Sequence, residues 1–176
     1  VVQGPGGLGK TRLSVHAARR LLADGQVDTA RFVAWAGCTD AVSAAARLRL
    51  ALDPAARSVP AGGAAVAAVL DLAVLALAGR RALLLLDNAE QLADDALALV
   101  PRLLERLPGL RVIVTTRRAL DAAGAQTWRP APLAVDGPAC AALRLFVDRA
   151  RAVRPDFHCH AGNEAAILGV VRRLQG

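Results

Sequence analysis

The sequence predicts an α/β fold, a parallel sheet with helices on both faces, followed by the start of a helical subdomain. Three observations predict it. Short, largely apolar runs such as ALLLL (82–86) and RVIVT (111–115) alternate with longer helical patterns, and strands apolar on both sides belong to sheets covered on both faces. A glycine-rich turn, GPGGLG at 4–9, runs straight into a helical pattern. The last two helical stretches have no strand between them.

Each element follows in turn. Val1 and Val2 lead directly into the glycine turn, so the strand before it is short and the chain reads as part of something longer. Residues 11–23 form a helix, with Leu13, Ala17 and Leu21 recurring at four-residue spacing and arginines on other faces. Asp24-Gly25 ends it. RFVAWA (31–36) reads as a strand. Helices at 41–52 and 64–78 flank a loop containing proline and glycine. Val66, Leu70, Ala73, Val74 and Leu77 give the second helix one apolar face. That helix is too short to span about 30 Å of hydrocarbon. Asp71 in its middle would cost about 2.5–3.5 kcal/mol inside a bilayer, so it is expected to be a buried helix of a soluble protein with no membrane partner.

ALLLL is a buried strand ending at Asp87, and 90–107 is helical with a kink or break expected at Pro101, because a mid-helix proline costs about 3 kcal/mol. RVIVT is a second buried strand, and a weaker one is expected near 127–130. Helices at 139–153 and 163–174 close the chain. The boundary falls near Asp136-Gly137-Pro138, dividing a core at 1–136 from a helical subdomain at 137–176.

Composition narrows the function. The chain has 176 residues, 55% hydrophobic but only 3% aromatic, which implies an aliphatic, helix-rich core. The formal charge is +7, yet the arginines are scattered and read mainly as solvated faces rather than a nucleic-acid surface. Three cysteines with no C-x-x-C point to a reducing, cytoplasmic setting.

The glycine turn fits two fingerprints. Gly4-Pro5-Gly6-Gly7-Leu8-Gly9 matches the dinucleotide turn G-x-G-x-x-G, and Gly4 to Thr11 matches the phosphate loop G-x-x-x-x-G-K-T. The dinucleotide reading needs an acid about 20 residues on, at the end of the next strand. Asp24 and Asp28 precede that strand, and Asp40 lies too far along. That reading also gives Lys10 and Thr11 no task.

The triphosphatase reading uses every residue. Backbone N–H groups wrap the phosphates, Lys10 places charge between the β- and γ-phosphates, and Thr11 ligates Mg²⁺. Lys10 is the only lysine in a chain that otherwise uses arginine. An ammonium suits that position where a planar guanidinium does not. LLLLDN supplies the expected second element, a buried strand delivering Asp87 toward the metal. RVIVTTRR supplies a third: Arg117, just past a strand end, is placed to sense or stabilise charge on the γ-phosphate. Thr115 and Thr116 either hydrogen-bond the attacking water or finish the strand. The chain reads as a P-loop NTPase. A guanine-reading N-K-x-D motif is impossible here, and no L-S-G-G-Q signature occurs.

GPGGLGKTRLS, LLLLDNAEQL, RVIVTTRRAL and LRLFVDRARAVRPDF together resemble the STAND NTPases of the NB-ARC-like group. The resemblance is greatest to the ATPase module of bacterial transcriptional regulators of the LuxR and antibiotic-regulatory (SARP) types. It covers nearly the whole chain. It implies a sheet in which the sensor strand lies between the loop strand and the acidic strand. It also implies ADP held in a closed resting state, with exchange for ATP driving opening and self-association. DNA would be contacted by domains outside this chain. Carried over by motif, Gly4, Gly6, Gly7, Gly9, Lys10 and Thr11 bind phosphates and Mg²⁺, with Pro5, Leu8 and Arg12 in the same segment. Asp87 holds Mg²⁺ and Arg117 is the sensor. The family's G-R-E-type segment and G-L-P-L motif flank the stretch seen here, and their absence implies weaker nucleotide binding.

Strong ATPases of this class place a glutamate directly after the acidic residue. Asn88 stands there instead, with Glu90 nearby as the candidate for activating water or for lining the next helix. Slow hydrolysis or none suits a switch. A steadily turning-over ATPase is the alternative, and a nicotinamide-dependent oxidoreductase is less favoured. His158-Cys159-His160 offers too few ligands for zinc, and His16 reads as a helix-surface residue.

Overall fold

The computed structural model describes residues 1–55, 62–120, 124–135 and 140–174. The chain forms two compact units, Val1–Arg129 and Pro130–Gly176.

The first unit holds a parallel four-stranded sheet. Its strands are β1 (Val2–Gln3), β2 (Thr29–Ala34), β3 (Ala82–Asp87) and β4 (Leu110–Thr116), in the spatial order β1-β4-β3-β2. The RVIVT strand therefore lies between the loop strand and the acidic strand, the order implied by the resemblance. Register is set along β3: Leu84 pairs with Arg31 on one side and Val112 on the other. Every residue of β3 is buried. Burying each leucine there stabilises the fold by about 1.5–3 kcal/mol, and the strand's alternation splits that gain between two faces. Leu84 and Leu86 face one cluster with Trp35, Leu48, Val69, Leu70 and Leu103. Leu83 and Leu85 face the other, with Ala18 and Val27.

The smaller face is covered by α1 (Lys10–Ala23), which contributes Val15, Ala18 and Leu21. Gly25, at φ +63, turns the chain out of α1 in a conformation that costs glycine little. The larger face is covered by α2 (Ala41–Leu52) and α3 (Gly63–Leu77). The short helices α4 (Asp94–Leu97) and α5 (Leu99–Arg106) complete it.

Four expectations are corrected. The RFVAWA strand begins two residues earlier, at Thr29, and ends at Ala34; Trp35 still donates its N–H to the Asp87 carbonyl at 2.8 Å. Helix α3 buries the one apolar face its spacing implies and is not buried all round. Ala65, Val69, Ala73 and Leu77 are covered, Leu75 is exposed, and Asp71 meets Arg106 at 2.8 Å on the surface. The 90–107 helix is divided into a 3₁₀ turn (Ala89–Gln91), α4 and α5, so the break lies upstream of Pro101. Pro101 occupies the third position of α5, where an N–H has no intrahelical partner to lose. The weak strand near 127–130 reduces to one bridge between Trp128 and Val2. Among the described residues, no helix is long and apolar enough to cross a membrane.

In the second unit, α6 (Ala141–Val153) and α7 (Glu164–Arg173) share a small core of Ala142, Ile167 and Val171. Phe146 and Phe157 meet edge-to-face at 6.2 Å beside it. The expected boundary at 136–138 lies outside the described residues.

Candidate nucleotide site

The parallel sheet brings the ends of β1, β3 and β4 to one edge. At that edge the chain from Gly4 to Gly9 turns from β1 into α1. Gly7 and Gly9 hold φ of +81° and +78°, a region that a side chain would strain. A Cβ at Gly4 would come 2.8 Å from Leu8 Cδ2. Gly9 is the N-cap of α1, so no side chain caps the helix, and its first turn carries no acid. The N–H groups opening α1 are thus arranged for an external anion.

Lys10 is buried, and its Nζ donates to the carbonyls of Gly4 (2.8 Å) and Pro5 (2.7 Å), which lays the ammonium along the loop. Pro5 and Arg12 are exposed and Leu8 is half-buried. The Thr11 hydroxyl donates to Asp87 Oδ1 at 2.6 Å. Asp87, the last residue of β3, is itself buried.

Thr115 is fully buried in β4. Its hydroxyl also donates to Asp87 Oδ1 at 2.6 Å and accepts the Asn88 N–H at 3.1 Å. Thr116 closes the strand locally, accepting the Arg118 N–H at 3.1 Å. Asn88 has φ +62°, the only positive value at a non-glycine among the described residues, and asparagine tolerates that conformation. It turns the chain from β3 into the 3₁₀ turn that carries Glu90. Glu90 Oε1 meets Arg117 Nε at 3.0 Å. Its Oε2 is buried without a hydrogen-bond partner among the described residues. The Arg117 guanidinium lies against the loop, since a Cβ at Gly6 would be 3.3 Å from Cζ.

A hydroxyl and a carboxylate 2.6 Å apart form a hard-oxygen pair of the kind Mg²⁺ takes together with phosphate oxygens and water. No group of three or more His, Cys, Asp or Glu side chains converges on a metal position among the described residues. A cation here would therefore rely on phosphate for the rest of its shell. With the uncapped α1 terminus and Lys10 beside this pair, the donor set fits a magnesium–nucleoside phosphate.

Asp28, weighed above for a ribose, sits at the opposite end of the sheet. It accepts from the Arg81 guanidinium at 2.6 Å and from the Arg81 N–H at 2.8 Å. These bonds hold its carboxyl below the ordinary 3.8. His158 and His160 make local contacts, with Arg151 at 3.4 Å and the Gly162 N–H at 3.2 Å.

The fold is that of the P-loop NTPases. A chain of Cdc6p from Pyrobaculum aerophilum superposes with a TM-score of 0.58 at 22% identity, over 86% of this chain and 43% of that one. In sequence, the chain is 36% identical over 174 residues to the "Putative HTH-type transcriptional regulator Rv0890c" of Mycobacterium tuberculosis, and equally to its counterpart Mb0914c in Mycobacterium bovis. The match takes in 98% of this chain and 18% of those proteins. The protein Rv0894 of Mycobacterium tuberculosis is 41% identical over 96 residues, 54% of this chain and 24% of its own length. The chain thus spans about a fifth of the length of the curated regulators it matches. No protein-family model matches it.

Proposed function

We propose that this chain is the ATP/ADP-binding switch module of a larger transcriptional regulator of the STAND type, near the LuxR and SARP groups. The observation that carries the reading is the contact of Thr11 and Asp87 beside an uncapped helix N-terminus and a buried lysine. It is supported by the relatives' description as HTH-type regulators. In this reading Gly4, Gly6, Gly7, Gly9 and Lys10 hold the phosphates, with Pro5, Leu8 and Arg12 shaping the segment. Thr11 and Asp87 hold Mg²⁺, and Arg117 meets the terminal phosphate. The bound Mg²⁺ would supply charge neutralisation between the phosphates. The second unit begins a helical subdomain that completes the module. Self-association follows ATP binding, and DNA is contacted by domains beyond this chain.

Turnover is slow at most, because Glu90 is engaged by Arg117 and Asn88 occupies the position next to Asp87. The output is therefore a shift between states rather than a product. The test is to purify the protein without added nucleotide, denature it and identify what is released. Near-stoichiometric ADP, absent from Lys10→Ala, is expected. Release of NAD would replace the reading with the dinucleotide one. Rapid steady hydrolysis, lost in Glu90→Gln, would favour a working ATPase over a switch.

A further inference from the structure

We propose that Glu90 is a positioning residue that makes the site responsive to a third phosphate, by gripping Arg117 through Nε and presenting its two terminal nitrogens to the loop. The inference rests on the nucleotide reading above and assigns the device that tells triphosphate from diphosphate.

Three observations meet at this pair. Glu90 Oε1 holds Nε, the inner nitrogen of the guanidinium, at 3.0 Å. Nη1 and Nη2 lie 3.4 and 3.6 Å from where a Gly6 Cβ would stand, and no hydrogen bond engages either among the described residues. The two partners also differ in burial: the Glu90 side chain is 15% exposed and that of Arg117 61%. The glutamate is thus the fixed member and the arginine the one facing outward. A guanidinium held at Nε keeps a planar two-nitrogen fork, which suits a phosphate bidentately. The absence of any bulk at Gly6 lets that fork rest against the phosphate loop itself. Glu90 stands on a turn fixed by the left-handed Asn88, so its grip is part of the fold.

The test measures binding of MgADP and of the magnesium complex of a non-hydrolysable ATP analogue to the full chain by calorimetry. Glu90→Ala should weaken the triphosphate about tenfold, the scale of one charge-assisted hydrogen bond, and leave MgADP within about twofold. Glu90→Gln, whose amide oxygen still accepts from Nε, should recover most of the loss. Glu90→Asp, charged but one methylene short, should behave like Glu90→Ala and carries the test if the alanine variant does not fold. Arg117→Gln should match Glu90→Ala, and the double variant should be no worse than either. Equal weakening of both nucleotides would overturn the proposal in favour of a general structural role. Tighter triphosphate binding in Glu90→Ala would overturn it in favour of a competing counter-ion. A wild-type chain that binds neither nucleotide would instead remove the underlying reading, a result visible before any variant is made.

Discussion

Asp87 Oδ1 accepts two hydroxyl hydrogens, from Thr11 and from Thr115, each at 2.6 Å. The two donors differ in what they can do. Thr11 opens α1 beside the loop and can turn its oxygen toward a cation, whereas Thr115 is enclosed in β4 and also receives the Asn88 N–H. Thr115 therefore keeps the carboxylate oriented when Thr11 is engaged elsewhere. Thr115→Val removes that bond and leaves a backbone N–H unpaired, which should cost about 1–3 kcal/mol of stability. Thr115→Ser keeps the hydroxyl and should cost much less. Beyond stability, the valine variant should lose much of the gain in nucleotide affinity that Mg²⁺ gives, while metal-free binding changes little. Equal Mg²⁺ dependence in the valine and wild-type proteins would show that Thr115 does not orient Asp87. Neither this bond nor the Glu90–Arg117 pair was legible in the sequence: the first joins neighbouring strands and the second joins the turn after β3 to the residue after β4, and periodicity does not reveal which residues such neighbours bring together.

At the scale of elements, strands β3 and β4 were legible because continuous apolar runs have few other uses in a chain of this composition. In 90–107 a break was legible from Pro101, and α4 and α5 do part within one turn of it, but the 3₁₀ turn and the late start of α4 were not. Leucines at 99, 103 and 107 continue a helical spacing that says nothing about where the helix starts. The start is set by the left-handed Asn88 and by an extended Ala93 before α4. The start of α2 was legible to the residue, and the structure gives its cause. The Asp40 carboxylate accepts the Ser43 N–H at 2.8 Å, and the Ser43 side chain reaches back to Asp40 in a reciprocal cap. The Ser43 backbone bond, then its hydroxyl, hold the Asp40 carboxyl below the ordinary 3.8. A carboxyl depressed by folding stabilises the fold above its unfolded pKa, and that contribution is lost as pH falls through the folded one. Thermal midpoints of wild type and Asp40→Ala should therefore differ most near neutrality and converge below about pH 3.8. A gap that persists undiminished at pH 2 would mean that the ionised carboxylate is not what caps α2.

For the whole molecule, the candidate residues from Gly4 to Arg117 all lie in the first compact unit, Val1–Arg129. The proposed phosphate contacts are all drawn from that unit. A switch needs more, since a ligand shifts an equilibrium only by its different affinity for two states. The states must then differ somewhere outside the phosphate contacts. Hydrogen exchange separates these cases. Both MgADP and a non-hydrolysable MgATP analogue should protect the loop, the start of α1 and the ends of β3 and β4, because each stabilises the form it binds by mass action. The switch reading further requires that α6 and α7 exchange at different rates under the two nucleotides. Those helices bury only a small core around Ala142, Ile167 and Val171, so local opening there should be frequent enough to register a change. A clear difference between diphosphate and triphosphate in α6 and α7 is the expected result. Identical exchange there, with full protection at the loop in both cases, would leave a nucleotide-binding core that does not switch.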